Sequence, residues 1–328
     1  MIKQLVNQLN KSRTVLVASH VNPDGDAVGA LLALGLALKS MNKGVCVYNQ
    51  SAIPAVYRFL PSVSTIGQTV AMPLEYEAIV VLDCGSIERL GTIAPDVRKT
   101  SMIINIDHHM TNTRFGHIHF IDPNACATAE IVYRVIKALS VKIDRAMAMA
   151  IYTGILTDTG SFRFSNTNKA AFDICAEMIE CGANPYEVAQ YVYGHYSLGR
   201  IKLLNLALDS LEISSNGNVS IMSLTQDMMD NTGTQDEDID GIINYARRIE
   251  DVKIAALIHE IAGYGRDRRQ YHVSLRSDGS VNVANIAAFF GGGGHANAAG
   301  FSAEATLPEL KDKIVELSEK APGICEVN

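Results

Sequence analysis

Acidic and imidazole side chains stand together near the middle of the chain, directly after a short apolar run. The segment reads Asn105-Ile106-Asp107-His108-His109. An unpaired charge buried at the end of a strand costs several kcal/mol, or its pKa shifts until the group is neutral. A bound metal ion would remove that cost, whereas an ordinary polar strand end is the alternative for this segment taken alone. Similar clusters elsewhere in the chain favour the metal.

Further acidic groups follow other apolar stretches of the chain. They are His20 with Asp24 and Asp26, then Asp83, then Asp158. Helix capping accounts for either Asp24 or Asp26, and an Asx turn accounts for Asp158 taken alone. Neither interpretation explains two carboxylates and an imidazole within seven residues of sequence.

This set of side chains has the composition of a divalent-cation site. Carboxylate oxygens dominate, imidazoles are present and no thiolate is near, which favours Mn²⁺ or Mg²⁺ over a structural Zn²⁺ site. Five carboxylates in one crevice would repel each other strongly, and two divalent ions ~4 Å apart that share a carboxylate would neutralise most of that charge. The sequence therefore predicts two metal ions in one site.

The elements around these residues alternate between strands and helices. We predict strands over 14–19, 45–49, 78–82 and 103–106, and helices over 27–41, 128–139, 145–156 and 168–181. Such alternation is typical of βαβ units and of an α/β fold with a mainly parallel sheet flanked by helices. Because ligands bind beyond the carboxyl ends of the strands in such sheets, the acidic loops should meet at one edge.

The second half of the chain has a different pattern. Asn216-Gly217 between two apolar runs predicts a hairpin, and strands are expected over 252–259 and 270–276 around a charged turn at 263–269, with helices over 238–248, 283–290 and 307–319. We therefore predict a metal-binding domain over residues 1–184, a helical connector over 185–211 and a smaller α/β domain over 212–328, with a cleft between the two domains.

Composition narrows the class of protein. The chain has 328 residues, 48% of them hydrophobic, and a formal charge of -7, which argues against a general nucleic-acid coat protein. The six cysteines form no CxxC pair and are predicted to be buried small hydrophobes. Neither a signal peptide nor an apolar run of the roughly 20 residues that a membrane span needs is present, so we expect a cytoplasmic protein with no membrane contact.

Five short motifs resemble those of the DHH phosphoesterase superfamily, in the same order along the chain. Four belong to the catalytic part: His20-x-x-Pro23-Asp24-x-Asp26-x-x-Gly29, Leu82-Asp83, Asp107-His108-His109 and Thr157-Asp158-Thr159-Gly160. The fifth resembles the DHH-associated C-terminal domain and comprises Ser274-Leu275-Arg276-Ser277 with Gly291-Gly292-Gly293-Gly294-His295-x-x-Ala298-Ala299-Gly300. The resemblance extends over nearly the whole chain.

The resemblance implies a role for each matched residue. One metal would be held by His20, Asp24 and Asp83, and the other by Asp26, Asp83, His108 and Asp158, with Asp83 shared. Asp107 would orient the neighbouring imidazoles, and His109 would contact the scissile phosphate. Substrate would be bound by the residues of the C-terminal motifs, namely Arg276, Gly292, Gly293, Gly294 and His295.

The resemblance is closest to two-domain members of the family that degrade nano-RNA of a few nucleotides and remove the 3′-phosphate of 3′-phosphoadenosine 5′-phosphate. It implies a hydrolase in which two divalent cations activate a water for attack on phosphorus. Mn²⁺ is the expected ion, with Mg²⁺ or Co²⁺ as alternatives. Short RNA oligonucleotides or small nucleotides are the expected partners, with no stable protein partner beyond an open possibility of a homodimer. The alternatives are a cyclic- or linear-dinucleotide phosphodiesterase and a non-catalytic nucleotide sensor.

Overall fold

The computed structural model describes residues 2–194, 196–261 and 269–320. The chain divides into two compact units, an N-terminal unit (Met1–His195) and a C-terminal unit (Tyr196–Asn328). Among the described helices, none combines the length and the apolar character that crossing a bilayer requires.

The N-terminal unit contains a six-stranded sheet in which every described strand pair is parallel. Its strands are β1 (Thr14–Ser19), β2 (Gly44–Tyr48), β3 (Ile66–Gly67), β4 (Ala78–Leu82), β5 (Ile103–Asp107) and β6 (Ile118–Ile121). The order across the sheet is β3-β2-β1-β4-β5-β6. The strand order reverses direction between β1 and β4, which is the switch point where open α/β sheets bind ligands. The predicted parallel sheet is confirmed.

Apolar side chains cover both faces of this sheet. Val15 and Val17 of β1 point into one buried cluster, and Leu16 and Ala18 point into another, as the two-residue period of a strand requires. The helices of the unit are α1 (Ile2–Lys11), α2 (Gly25–Ser40), α3 (Ala94–Val97), α4 (Thr128–Ala138), α5 (Arg145–Asp158), α6 (Lys169–Glu180) and α7 (Pro185–Tyr193).

Helices α2 and α5 touch backbone to backbone. A Cβ on Gly29 would lie 2.4 Å from the carbonyl oxygen of Ala150 and 3.2 Å from the Cα of Gly154. A Cβ on Gly25 would lie 2.3 Å from the hydroxyl of Thr157. Only glycine permits this approach, and it places the first turn of α2 beside the last turn of α5.

The C-terminal unit is built on a second six-stranded sheet, ordered β11-β12-β10-β9-β8-β7. Its strands are β7 (Glu212–Ile213), β8 (Val219–Leu224), β9 (Ile254–Glu260), β10 (Arg269–Ser277), β11 (Gly293–His295) and β12 (Ala298–Ala305). Its helices are α8 (Leu198–Asp209), α9 (Gln226–Thr232), α10 (Ile243–Arg247), α11 (Val283–Phe289) and α12 (Leu307–Lys320). Strands β8 and β9 are parallel, and the other described pairs are antiparallel. The predicted hairpin around Asn216-Gly217 is confirmed as β7 and β8.

Several predicted elements differ in extent. The helix expected over 238–248 is shortened to α10, because Gly241 adopts a φ of +80° that ends regular helix before it. Strands β3, β6, β11 and β12 were not predicted, and α5 continues through Asp158 rather than ending at 156. The charged turn at 263–269 lies outside the described residues except for Arg269. The five cysteines in the described part of the chain are unpaired and buried or half-buried.

Candidate metal centre

His20 follows β1 and has a fixed ring orientation. Its Nδ1 donates to the carbonyl oxygen of Val21 at 2.8 Å. Because a carbonyl only accepts, Nδ1 carries the hydrogen, and Nε2 becomes the nitrogen that faces Asp83, 3.3 Å from its Oδ2. A backbone partner on one ring nitrogen is the usual support of an imidazole that ligates metal through the other.

Asp24 and Asp26 lie at the start of α2 and have different environments. Asp24 is exposed and caps the helix, accepting from the Ala27 amide at 3.0 Å. Asp26 is buried, and its two oxygens accept from the amides of Thr128 and Ala129 at 2.6 and 2.8 Å. Those amides begin α4, where helical N–H groups have no partner within the helix. The start of one helix therefore holds a carboxylate from another.

Asp83 follows β4 and lies at the centre of the site. Its backbone adopts a φ of +56°, a left-handed conformation that aspartate and asparagine tolerate better than most residues. Its Oδ1 accepts from the hydroxyl of Thr128 at 2.9 Å and lies 3.8 Å from Nε2 of His108. Asp83 therefore has one oxygen directed towards His20 and the other towards His108.

The end of β5 supplies three consecutive side chains. The buried Asp107 accepts from Nδ1 of His109 at 2.6 Å and from the side-chain amide of Asn112 at 2.5 Å. The ring of His108 is held differently, with Nδ1 3.3 Å from the carbonyl oxygen of Ala125. Asp107 thus orients the His109 imidazole, and a backbone carbonyl orients the His108 imidazole.

Asp158 is the last residue of α5 and faces the same group. Its Oδ2 lies 3.6 Å from Nε2 of His108 and accepts from the side-chain amide of Asn166 at 3.2 Å. The same amide donates to the carbonyl oxygens of Cys126 and Asp158 at 2.8 and 3.1 Å. Asn166 therefore joins the end of α5 to the loop before α4.

The structure brings all eight predicted residues of the N-terminal unit to the carboxyl edge of β1, β4 and β5. Three sets have ligand atoms within 4.8 Å of one another: His20 with Asp24 and Asp83, Asp26 with His108 and Asp158, and Asp83 with His108 and His109. The first set is the group predicted for one metal, and the second contains three of the four residues predicted for the other. Asp83, the fourth, belongs to the first and third sets, and its Oδ1 lies 3.8 Å from Nε2 of His108.

The crowding of carboxylates perturbs their protonation. Burial raises the pKa of Asp26 well above its usual value, and the negative charges of Asp83 and Asp158 add to the rise. Burial also raises the pKa of Asp158 to about 7, although the neighbouring His108 opposes the shift. In the protein without metal, protons therefore compete for the positions that cations would take.

The pKa of Asp83 is lowered, and the pKa values of His109 and His20 are raised. Burial would raise the pKa of Asp83, but its hydrogen bond with His20 and the charge of His109 hold that pKa well below its usual value. Burial opposes protonation of His109, yet the hydrogen bond to Asp107 and the charge of Asp83 raise its pKa to about 9. Burial likewise opposes protonation of His20, but its pKa is raised by the hydrogen bond to Asp83.

These residues fit a pair of hard divalent cations. Buried carboxylates with raised pKa values lack enough positive charge around them, and His20 and His108 each have one nitrogen occupied by a backbone carbonyl and the other directed at carboxylates. Oxygen ligands with a minority of imidazoles suit Mn²⁺ or Mg²⁺. A second cation beside the first would satisfy the remaining charge.

The predicted substrate-binding residues lie in the C-terminal unit. Arg276 is half-buried on β10, where burial lowers its pKa and its Nη1 donates to the carbonyl oxygen of Leu275 at 3.0 Å. Gly292 and Gly294 are required by packing, because a Cβ on either would lie within 2.5 Å of a carbonyl oxygen of β12. Gly293 has open space where its Cβ would be, so a phosphate could approach its backbone. His295 ends β11 and pairs with Ala298.

Comparison with known proteins agrees with this arrangement. The model of the DHH family, N-terminal domain, matches residues 14–155, and the DHHA1 domain matches residues 216–321. The bifunctional oligoribonuclease and PAP phosphatase NrnA of Thermus thermophilus is 32% identical over 307 residues, 92% of this chain and 88% of that protein. The chain belongs to the DHH family. It is a hydrolase that acts on phosphate esters.

Two solved structures show the same fold. An exopolyphosphatase-related protein from Bacteroides fragilis has a TM-score of 0.90 and 28% identity, over 97% of this chain and 95% of that one. RecJ from Thermus thermophilus, solved in complex with Mn²⁺, has a TM-score of 0.56 and 12% identity, over 98% of this chain and 55% of RecJ. At that identity the RecJ comparison supports the fold only.

The DHH motifs did not reveal the residues that support the ligands. Thr128, Asn112 and Asn166 each hydrogen-bond an acidic side chain of the site. Thr128 contacts an aspartate 45 positions away, so its role depends on tertiary structure. Asn112 lies five positions after Asp107, and a polar residue that close to a DHH motif was the one local signal available.

Proposed function

We propose that this DHH-family protein is a metal-dependent phosphoesterase that hydrolyses short oligonucleotides to mononucleotides and also converts 3′-phosphoadenosine 5′-phosphate to AMP. The observation that carries the proposal is the meeting of His20, Asp83, His108 and Asp158 from four separate segments at the switch point of the sheet. The printed activities of the Thermus thermophilus relative, oligoribonuclease and PAP phosphatase, support the choice of substrates.

Two cations would be held as the sequence implies. His20, Asp24 and Asp83 would ligate one, Asp26, His108 and Asp158 would ligate the other, and Asp83 would be shared. When bound, the cations would activate water and neutralise the charge that develops on phosphorus oxygens. Mn²⁺ is the first ion to test, since a site of carboxylate oxygens with a minority of imidazoles suits it.

His109 is the imidazole best placed to act on substrate rather than on metal. Its hydrogen bond to Asp107 fixes the ring through Nδ1. In the protein without metal, burial opposes protonation of the ring, but that hydrogen bond and the charge of Asp83 raise its pKa to about 9. A protonated imidazole donates to a phosphate oxygen and opposes its negative charge. Asp107 acts through His109, because both of its oxygens are already engaged by His109, Asn112 and the His108 amide.

The C-terminal unit would bind the rest of the substrate. Arg276 presents a guanidinium suited to bidentate phosphate contact, and Gly293 presents an unshielded backbone. Gly292, Gly294 and His295 would shape the same segment. We propose that residues 1–184 form the catalytic domain, that residues 212–328 form the substrate-binding domain, and that 185–211 connects them. The cytoplasmic location and the open possibility of a homodimer stay predictions.

A substrate panel tests the proposal directly. Purified protein is incubated with Mn²⁺ and labelled RNA of two to about ten nucleotides, linear diadenylate, 3′-phosphoadenosine 5′-phosphate or pyrophosphate, and products are separated by chromatography. We expect mononucleotide release from the short RNAs and AMP from the phosphoadenosine. Asp83→Asn should abolish both activities, and Asp173→Asn, on the exposed surface of α6, should retain them.

Other outcomes would identify a different function. Activity on pyrophosphate without mononucleotide release would point to a pyrophosphatase. Preferential cleavage of diadenylate would favour a dinucleotide phosphodiesterase. Tight dinucleotide binding without turnover in Mn²⁺, Mg²⁺ and Co²⁺ would support a nucleotide sensor and refute the hydrolase.

A further inference from the structure

An arginine outside the DHH motifs is anchored beside the metal centre. Arg89 lies in the segment of 3-10 helix between β4 and α3, Ile87–Ile93. Its carbonyl oxygen accepts from the Val21 amide at 2.8 Å. Val21 directly follows the ligand His20, so the backbone of Arg89 is fixed to the loop that carries that ligand.

The turn after Arg89 has little freedom to move away. Gly91 adopts a φ of +75°, and a Cβ there would lie 2.2 Å from Oε1 of Gln50 and 2.7 Å from Cγ1 of Val21. The amide and hydroxyl of Thr92 donate to the same Gln50 oxygen at 2.7 and 3.0 Å. The close contact and the two hydrogen bonds hold the segment against the loops after β1 and β2.

The guanidinium of Arg89 is exposed and has no partner among the residues that the structure describes. No hydrogen bond or ion pair joins it to any carboxylate of the site, although five lie in the cluster. The neighbouring cation of the same region behaves differently, because Arg98 pairs with Glu88. The guanidinium of Arg89 is therefore available to a partner that arrives from solution.

The main chain places Arg89 beside Asp83. Arg89 lies six positions after Asp83, and its carbonyl oxygen accepts from the residue that follows His20, whose Nε2 lies 3.3 Å from Oδ2 of Asp83. Arg89 is therefore attached next to the contact between the loop after β1 and the loop after β4. A cation at that position complements an anion, and arginine offers the planar donor pair that phosphate oxygens accept.

We propose that Arg89 is a catalytic residue that binds non-bridging oxygens of the reacting phosphate and stabilises the negative charge that grows on them. This inference rests on the proposed function, because it requires a phosphate at the centre. Arginine side chains that contact a transferring phosphoryl group typically contribute to kcat more than to ground-state binding. The alternative is that Arg89 merely offsets the charge of the acidic cluster.

Binding of inorganic phosphate separates the two roles without relying on turnover. Wild-type protein and the variants Arg89→Gln, Arg89→Lys and Arg98→Gln are loaded with Mn²⁺ and titrated with inorganic phosphate by calorimetry. The thermal shift caused by Mn²⁺ is measured for each. We expect Arg89→Gln to weaken phosphate binding about 10- to 100-fold, the loss typical of one charge-assisted contact. Arg89→Lys should recover part of the loss, and Arg98→Gln should bind as the wild type does.

The same variants are then assayed on a dinucleotide. Arg89→Gln should lower kcat by about 100-fold or more, with a smaller change in KM, and should keep the wild-type Mn²⁺ shift. Phosphate affinity within twofold of wild type would overturn the inference, as would a lost Mn²⁺ shift, which would show a role in the acidic cluster. Absence of phosphate binding by the loaded wild type would also overturn it. A wild type that binds phosphate through Arg89 but cleaves no oligonucleotide would refute the proposed substrates and leave Arg89 as a phosphate-binding residue.

Discussion

Replacing Asp158 by asparagine should stabilise the protein without metal and remove its response to Mn²⁺. The pKa of Asp158 is raised from 3.8 to about 7 by burial and by its acidic neighbours. A shift of roughly three units corresponds to about 4 kcal/mol against the ionised form, at 1.36 kcal/mol per unit. The side chain is 25% exposed, so solvent screening reduces the penalty, and we expect a gain of about 1–3 kcal/mol from its removal.

The sign of the pH dependence follows from the raised pKa. The folded state binds a proton at Asp158 that the unfolded chain releases near pH 4, so stability falls as pH rises from 4 and the full penalty is present above about 7. Asp158→Asn should therefore gain most at pH 8 and little at pH 4. For a unit of this size, each kcal/mol raises Tm by about 2–4 °C, so a gain of about 1–3 kcal/mol predicts a rise of about 2–12 °C in Tm.

The assay is thermal unfolding followed by circular dichroism at pH 5, 6.5 and 8, with EDTA or with Mn²⁺. In EDTA the variant should exceed the wild type at pH 8, and in Mn²⁺ the wild type should gain while the variant gains little, because one ligand is lost. Asp173→Asn is the matched control, since it removes an exposed carboxylate of α6. A variant less stable than wild type in EDTA at pH 8, or a gain equal at all three pH values, would refute the reasoning.

Three further predictions follow from the geometry of the site and its supports. Asp83→Asn should lose turnover but keep the fold, because asparagine tolerates the φ of +56°. Asp83→Ala should lose turnover and also about 1–2 kcal/mol of unfolding free energy. Dinucleotide hydrolysis measures the turnover, and urea unfolding measures the stability. Gly29→Ala should lose about 1–3 kcal/mol by overpacking against Ala150 and should weaken Mn²⁺ binding, measured by urea unfolding and calorimetry. Arg276→Ala should raise KM for oligonucleotides at least about tenfold with kcat little changed, measured by steady-state kinetics.

Each of these predictions has a contradicting result. Equal stability of Asp83→Ala and Asp83→Asn would show that the left-handed backbone is not strained by alanine. A Gly29→Ala protein with wild-type stability and Mn²⁺ affinity would show that α2 can shift without moving Asp26. An unchanged KM with a collapsed kcat would move Arg276 from substrate binding to the chemical step.

The positions of the site residues were predictable because they follow a buried strand or lie at one end of a helix. The runs before His20, Asp83 and Asp107 are mainly apolar and almost entirely buried, and parallel strands place their carboxyl ends at one edge. Asp158 is a partial case: the helix was expected to end at 156, whereas Asp158 is itself the last helical residue. The hydroxyl of Thr159 donates to the carbonyl oxygen of Ile155, one helical turn earlier, at 2.7 Å.

What could not be predicted depends on contacts between distant segments. Strand β12 has the sequence AAGFSAEA, and its small and helix-favouring residues do not predict a strand. The strand is stabilised by pairing with β10. The two hydrogen bonds of Asp26 come from α4, 102 and 103 positions along the chain. Their existence depends on α2 packing against α4 and α5, which no local pattern encodes.

The glycine contact between α2 and α5 bears on which ions the protein can discriminate. Asp26 stands on the first turn of α2 and Asp158 on the last turn of α5, so their separation is set by main-chain contact rather than by side chains that can rotate aside. Oxygen ligands lie at about 2.0–2.1 Å from Mg²⁺ and about 2.3–2.6 Å from Ca²⁺. Because the two helices cannot easily move apart, the site should bind the larger Ca²⁺ ion more weakly than Mg²⁺ or Mn²⁺. Calcium should therefore occupy the centre poorly even when it is abundant.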